Sequence, residues 1–242
     1  MRLWVCCGHG DGDSGAVGGG YAEAERVRAL GARIAELGGG SVVYMDPARN
    51  WYESRGFESA NIPAGDAVVE LHMDSSSATA RGAHVIYKSG FVPDSYDTAL
   101  ADFVSGLFPG RAVKLSPRSD LRNCNICARR GINYRLGEHG FISNAGDRAI
   151  FNSNIDVLAR GYLAAFGIKP VDEGGNDMTD EQSKKLDAIY DFVTRTDDPT
   201  GRVENMDIYT HLRYVAQAVQ ASAQRIAELE ALLAVDAEGV AD

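Results

Sequence analysis

The sequence lacks any apolar run that approaches the length of a membrane-spanning helix. Such a helix needs about 20 mostly apolar residues, so we expect no insertion into a membrane. The first residues, Met1 to Val5, also lack the long apolar core and the small-residue cleavage site of a signal peptide. We therefore expect the chain to be cytoplasmic in the cell that makes it. To reach a target outside that cell, it would need a release route other than export by a signal peptide.

The sequence has fewer basic residues than acidic ones. The chain has 24 Lys and Arg against 34 Asp and Glu, which gives a formal net charge of -10. Without a basic stripe to face phosphates, we expect no nucleic-acid partner. The composition is otherwise that of a globular protein, with 45% hydrophobic and 24% charged residues. A length of 242 residues leaves room for one sizeable domain and a small appendage.

Cysteine is also scarce, with four residues that fall as a vicinal pair and a C-x-x-C motif. Adjacent residues of a strand point to opposite faces, so Cys6 and Cys7 are badly placed to bind one zinc ion. Cys124 and Cys127 are close enough to cross-link, but we place them in an Arg-rich loop, 122–130, without the strand-to-helix context of a thioredoxin-like motif. We favour reduced cysteines over a redox pair.

The sequence does contain short apolar strands that alternate with amphipathic helices. This alternation predicts an α/β domain over residues 1–168, with an open, twisted, largely parallel or mixed sheet flanked by helices. The predicted strands are 3–7, 42–44, 67–72, 83–87 and 132–136, and the predicted helices are 22–37, 97–107 and 147–166.

The remainder of the chain has a different pattern. Residues 169–178 are polar and contain Pro and Gly, which predicts a linker to a small all-helical segment, 179–242. A capping box starts a helix over 180–195. A second helix, over 204–235, carries apolar residues at spacings of four and three, the heptad seam of a coiled coil. The seam favours a homo-oligomer, with folding back onto the chain as the alternative, and Met178 offers an internal translation start.

A glycine-rich run, Gly-His-Gly-Asp-Gly-Asp-Ser-Gly over residues 8–15, directly follows the first predicted strand. Its spacing does not fit a G-x-G-x-x-G phosphate loop, no Lys-Ser or Lys-Thr pair follows, and its acidic residues would repel a pyrophosphate. His9 and a carboxylate of the next helix, Glu23 or Glu25, can instead converge above the sheet as metal ligands. From this segment alone, a metal ligand and a solvated turn residue are equally good interpretations of His9.

Two more strand ends carry groups of the same kind. His72 follows the apolar run of one predicted strand, and Glu138 follows that of another. In open α/β sheets the loops beyond the carboxyl ends of the strands form the natural crevice for a site. Three strand ends and one helix start therefore direct candidate groups to one place.

Taken together, these motifs resemble the zinc-dependent N-acetylmuramoyl-L-alanine amidases of bacterial cell-wall enzymes and phage endolysins. The resemblance covers residues 1 to about 168. It implies the family's fold, a Zn²⁺ cofactor, peptidoglycan as the partner, and hydrolysis of the amide between N-acetylmuramic acid and L-alanine. The motifs that carry it, in matching order and spacing, are residues 8–18, 70–74, 82–87 and 138–144.

Carried over residue by residue, the resemblance implies His9, Glu23 and His72 as zinc ligands, with Glu25 as the alternative to Glu23. Three ligands leave a coordination position for water, whose pKa zinc lowers towards about 7. The resemblance assigns Glu138 as the catalytic residue, which takes the proton of that water and delivers it to the leaving amine. Weaker candidates for substrate contact are Asp74, His84 and Asn144.

These expectations lead to two hypotheses about function. The first is a phage or prophage endolysin that lyses the host wall after release through a holin-type pore, with a host autolysin exported by another route as its variant. The second is a wall-binding or tail-associated structural protein with a degenerate amidase fold and an oligomerising coil. Competent residues at every zinc and catalytic position favour the enzyme.

Overall fold

The computed structural model describes residues 1–171. The remainder of the predicted linker, the helices predicted over 180–195 and 204–235 with their heptad seam, and Met178 lie outside the described residues. Those predictions rest on the sequence alone.

Strands and helices alternate along the described chain, as the apolar pattern predicts. The strands are β1 Leu3–Cys7, β2 Val17–Gly18, β3 Tyr21–Ala22, β4 Val42–Tyr44, β5 Ala67–Asp74, β6 His84–Lys88, β7 Leu115–Arg118 and β8 Asn133–Phe141. The helices are α1 Glu23–Gly38, α2 Ser95–Leu107, α3 Arg122–Arg129, α4 Ala145–Ser153 and α5 Ile155–Ala165.

Six of the strands form one sheet in the order β4-β1-β5-β8-β6-β7. The first four run parallel to one another. Strand β6 runs antiparallel to β8, and β7 runs parallel to β6. The prediction of a largely parallel or mixed sheet is therefore confirmed. Because β1, β5 and β8 run the same way, their carboxyl ends meet at one edge of the sheet, where the candidate residues lie.

Helices α1, α2 and α5 pack on one face of the sheet and α3 on the other, so the core has two layers. Helix α1 forms because Val27, Leu30, Ile34 and Leu37 recur at spacings of three and four and are all completely buried. Neighbouring cysteines of β1 belong to different layers, Cys7 to the first and Cys6 to the second. The prediction that this pair points to opposite faces is confirmed.

The prediction of a loop over 122–130 is wrong, because Arg122–Arg129 forms helix α3. One side of this helix is buried, and it carries Asn123, Cys124, Ile126 and Cys127. Tertiary packing therefore stabilises as a helix a segment whose local preference for helix is weak. All four cysteines of the chain are free and buried.

The two largest differences in predicted element boundaries are in the closing helix and in β8. The closing helix is interrupted at Asn154, which leaves helical geometry and donates from its side-chain amide to the Ile150 carbonyl oxygen at 2.7 Å. Strand β8 continues beyond residue 136 to Phe141, so Glu138 lies within the strand rather than after it. Strand β7 was not predicted because it contains Pro117, which argues against a strand. It forms nevertheless because it lies at the edge of the sheet, where proline is tolerated.

In the described part of the chain, no helix combines the length and the apolar character that crossing a membrane requires.

Candidate metal site

Three of the candidate ligands converge at the carboxyl ends of the central strands. His9 lies in the loop after β1, Glu23 is the first residue of α1, and His72 lies near the end of β5. One ligand atom from each lies within 4.8 Å of the others. The Glu23 carboxylate stands between the two imidazoles, 3.1 Å from His9 Nε2 and 2.9 Å from His72 Nδ1. Glu25 is exposed and does not belong to this group.

Backbone donors fix the carboxylate of Glu23, which is only 3% exposed. Its Oε1 accepts from the Met73 N–H at 3.0 Å and its Oε2 from the Ala16 N–H at 3.1 Å. Burial raises the pKa of Glu23, but hydrogen bonds from His72 and His9 lower it more, and the net shift is downwards. The carboxylate of Glu23 is therefore ionised and held in place without a metal ion.

The glycine-rich run allows the backbone to pass close to the imidazoles. His9 itself adopts a left-handed conformation, with φ of 65°. A Cβ on Gly8 would lie 2.2 Å from His72 Cε1, and a Cβ on Gly15 would lie 2.6 Å from His9 Cδ2. Neither position can hold a larger residue without displacing a ligand ring. The glycines thus serve the close approach of loop and ligands.

Each ligand imidazole has a second carboxylate behind it. Asp13 Oδ2 lies 2.9 Å from His9 Nδ1, and Glu70 Oε1 lies 3.1 Å from His72 Nε2. Burial lowers the pKa of both imidazoles, but these carboxylates and Glu23 raise it more. Sequence reasoning assigned no role to Asp13 or Glu70. The available signal was spacing, because Glu70 is two residues before His72 and so shares its face of the strand.

Glu138 lies on β8 directly opposite His72 on β5 and His84 on β6. The pKa of Glu138 is raised to about 7, chiefly by burial; the charge of His72 opposes this rise, and the charges of Asp74 and Glu23 add to it. Its Oε2 is buried without a hydrogen-bond partner among the described residues. A half-buried carboxyl group that titrates near neutrality suits proton transfer.

Two of the weaker candidates meet at an arginine that sequence reasoning missed. Arg111, in the loop between α2 and β7, donates to Asp74 Oδ2 at 2.6 and 2.9 Å. It also lies 2.6 Å from His84 Nδ1. Burial and the Arg111 charge lower the pKa of His84 to about 4, so this imidazole is neutral and accepts. The cluster borders Glu138, since His84 and Glu138 are paired across the strands.

Asn144 has a structural task in the same region. It caps α4, accepting from the Asp147 N–H at 3.1 Å, and its amide donates to the Ala78 carbonyl oxygen at 2.8 Å. Both ends of its side chain are engaged, so the proposed substrate contact stays a prediction.

The side chains in this group fit a single zinc ion. Two imidazole nitrogens and a carboxylate form a donor set found in catalytic zinc hydrolases, and their ligand atoms lie within 4.8 Å of one another, so small side-chain shifts would bring all three to bonds of about 2.0–2.2 Å from a shared centre. The unpartnered Oε2 of Glu138 supplies the remaining polar group at the same edge. An α/β fold with this group at its strand ends has the architecture of a metal-dependent hydrolase.

Comparison with known proteins identifies the family. The family model described as N-acetylmuramoyl-L-alanine amidase, Amidase_3, matches residues 3–168. The chain belongs to this family, and the fold that the sequence motifs imply is confirmed.

The chain is 31% identical over 213 residues to the probable autolysin PH of Staphylococcus aureus (strain NCTC 8325 / PS 47). That alignment covers 76% of this chain and 42% of the relative, so the chain spans less than half of that protein's length.

Solved structures share the fold at lower identity. The amidase Ami1 of Mycobacterium abscessus superposes with a TM-score of 0.52 at 19% identity, covering 69% of this chain and 97% of that one. The catalytic domain of the CD27L endolysin, which targets Clostridia difficile, gives a TM-score of 0.55 at 19% identity, covering 71% and 99%.

Proposed function

We propose that this chain is a zinc-dependent amidase that hydrolyses the bond between N-acetylmuramic acid and the L-alanine of the peptidoglycan stem. The observation that carries the proposal is the convergence of His9, Glu23 and His72 within 4.8 Å, beside Glu138. Membership of the amidase family supplies the substrate class.

The chain's own residues have distinct tasks in this reaction. His9, Glu23 and His72 would hold the zinc ion, which would supply polarisation of the scissile carbonyl and acidification of a water molecule. Glu138 accepts the proton of the attacking water and returns it to the amine of the departing L-alanine. Burial favours the protonated carboxyl group, so transfer of that proton in either direction costs little near neutral pH.

The test is digestion of purified peptidoglycan by the full chain, with zinc restored after chelation. New free L-alanine amines are expected, and they are expected to be absent from the chelated sample because the donor group then lacks its ion. New reducing sugar ends without new amines would assign the chain to glycosidases and contradict the proposal. Release of amines at an undiminished rate after complete zinc removal would contradict the metal's role.

We further propose that the enzyme acts as a phage or prophage endolysin. The fold that it shares with the CD27L endolysin domain supports this role, whereas its likeness to an autolysin supports a host enzyme. Expression in a bacterial cytoplasm separates the two. Lysis that requires a co-expressed holin fits the endolysin, and lysis without one contradicts it.

The homo-oligomer proposed from the heptad seam over 204–235 is tested by the sedimentation mass of the full chain.

A further inference from the structure

A buried carboxylate next to the proposed ligands has no task in the mechanism above. Glu70 lies on β5 and is 3% exposed. Its Oε1 lies 3.1 Å from His72 Nε2. Its Oε2 accepts from the Tyr134 hydroxyl at 2.6 Å and from the Asn123 amide at 2.9 Å. Neither of these last two donors is charged.

This arrangement is costly as a purely structural feature. A buried carboxylate is tolerated when its hydrogen bonds are satisfied and its charge is compensated. Tyr134 and Asn123 satisfy the hydrogen bonds of Oε2 but contribute no positive charge. The compensating charge has to come through His72, the third partner of Glu70, either from its imidazolium form or from a metal ion bound at its other nitrogen.

The ring of His72 is confined from both sides. Glu70 stands at its Nε2 edge, and the backbone of Gly8 passes so close that a Cβ there would lie 2.2 Å from His72 Cε1. Glu70 in turn cannot swing away without losing its contacts with Tyr134 and Asn123. The position of the imidazole is therefore determined by a carboxylate that is itself held in place.

We propose that Glu70 is a positioning residue that presents His72 Nδ1 to the metal, an inference that rests on the proposed function. A neutral imidazole carries a proton on one nitrogen and a lone pair on the other, and the acceptor at one nitrogen decides which. An ionised carboxylate only accepts, so Glu70 keeps the proton on Nε2 and the lone pair on Nδ1, which faces Glu23 at 2.9 Å. Asp13 does the converse for His9, whose Nε2 faces Glu23.

The test compares zinc binding by two variants of the full chain, Glu70→Gln and Tyr134→Phe. Glutamine keeps the shape of Glu70, but its amide nitrogen faces either His72 Nε2 or the donors on the other side, and each orientation weakens the hold on the proton. We expect the zinc dissociation constant of Glu70→Gln, from chelator competition, to rise about 10–100-fold. Tyr134→Phe removes a contact with Glu70 but leaves the Glu70–His72 pair, so we expect a change of roughly threefold or less.

Two further readouts separate positioning from loss of folding. Circular dichroism checks that each variant is folded, and the visible spectrum of the cobalt-substituted protein is expected to change in Glu70→Gln but not in Tyr134→Phe. If Glu70→Gln fails to fold, the double variant Glu70→Gln with Asn123→Asp decides. There the new carboxylate holds the glutamine nitrogen and turns its carbonyl oxygen towards His72, so zinc affinity within about tenfold of wild type is expected.

Each contrary outcome has a distinct meaning. Equal zinc affinity in wild type and Glu70→Gln overturns the positioning role and leaves the proposed function intact. Equal weakening by Glu70→Gln and Tyr134→Phe also overturns it, since general loosening then explains both. A folded double variant that binds zinc more than about tenfold more weakly than wild type overturns it as well. Failure of the wild-type chain to bind zinc contradicts the proposed metal site itself, and the role of Glu70 falls with it.

Discussion

The two ends of the central strands hold buried charge in different ways. Near the amino end of β8, the completely buried Arg135 donates to Asp97 at 2.6 Å and to Asp94 at 3.1 Å. At the carboxyl ends, Glu23 and Glu70 face imidazoles and neutral donors instead. At the first end, the buried guanidinium is paired with carboxylates of the chain itself. The second end carries carboxylates whose partners are titratable imidazoles. The negative charge of these carboxylates exceeds the positive charge that nearby side chains supply.

The difference distinguishes a structural ion pair from a site. In a buried pair such as Arg135–Asp97 each charge has a partner within the chain, and Arg135 also contacts Asp94 and Asn133, although its Nη1 has no hydrogen-bond partner among the described residues. The cluster around Glu23 shows the shifted pKa values and the unpartnered Glu138 oxygen that accompany function. The comparison predicts that changes at one end affect catalysis and metal binding, and that changes at the other affect stability alone.

The largest effect is expected from Glu138→Gln at the site end. Glutamine fills the same space but cannot accept and return a proton, so the rate of amine release from peptidoglycan should fall by about 10²–10⁴-fold. Zinc content should be unchanged, because Glu138 is not among the three ligand residues. The measurements are the initial rate and metal analysis of the same preparation.

The matched control for this variant is Glu25→Gln, which alters an exposed glutamate two residues beyond Glu23 on the same helix. It should change neither rate nor zinc content. A Glu138→Gln enzyme with wild-type activity would remove Glu138 from the reaction. Loss of activity in Glu25→Gln would mean that the exposed face of α1 also contributes to the site.

At the other end, Asp97→Asn should destabilise the fold without touching the metal. The substitution leaves the Arg135 guanidinium buried with only part of its pairing, at a cost of about 3 kcal/mol in the free energy of unfolding. The corresponding fall in Tm is roughly 6–12 °C. Zinc affinity of the folded variant should match that of wild type, since distant sites act independently.

Asp102→Asn is the control for that change, because Asp102 lies on the same helix in an exposed pair with Lys114. Exposed pairs of this kind contribute about 0–1 kcal/mol, so its Tm should stay close to wild type. The comparison between the ends breaks down if Asp97→Asn, still folded, binds zinc more weakly, because the two clusters would then be coupled through β8.

Much of the site could be predicted because it follows from topology. Parallel strands bring their carboxyl ends to one edge, so His72 and Glu138 could be placed together from the strand pattern alone. The resemblance favoured Glu23 over Glu25; in the structure Glu23 shares the buried stripe of Val27 and Leu30, and Glu25 is exposed. Periodicity carries this information, because it reflects which side of an element is buried.

The remainder depends on contacts between residues far apart in sequence. Nothing local to Arg111 indicates that it meets Asp74 and His84, 37 and 27 positions away. The helix over 122–129 forms because its apolar side is covered, which outweighs weak local preference. The left-handed backbone conformation of His9 could not be predicted from the sequence either. A run with this many glycines has no preferred backbone conformation until contacts with its neighbours fix one.

The smallest effect compares one glycine at each end of the sheet. Gly15, beside His9, has φ of 62°, and Gly131, just before the amino end of β8, has φ of 69°. Alanine at either position is strained by its left-handed backbone, at about 1–2 kcal/mol. Only at Gly15 does the added Cβ also meet ligands, lying 2.6 Å from His9 Cδ2 and 2.8 Å from Glu23 Oε2. At Gly131 it meets nothing within 4 Å.

Gly131→Ala should therefore lower the free energy of unfolding by about 1–2 kcal/mol and leave zinc affinity as it was. Gly15→Ala should lose at least as much stability and also bind zinc about tenfold more weakly, because the His9 ring has to move. Thermal melts and chelator competition measure the two quantities on the same samples. Equal zinc affinity in both variants would mean that the loop yields without moving His9, and the rigid placement inferred for the glycine-rich run would then be wrong.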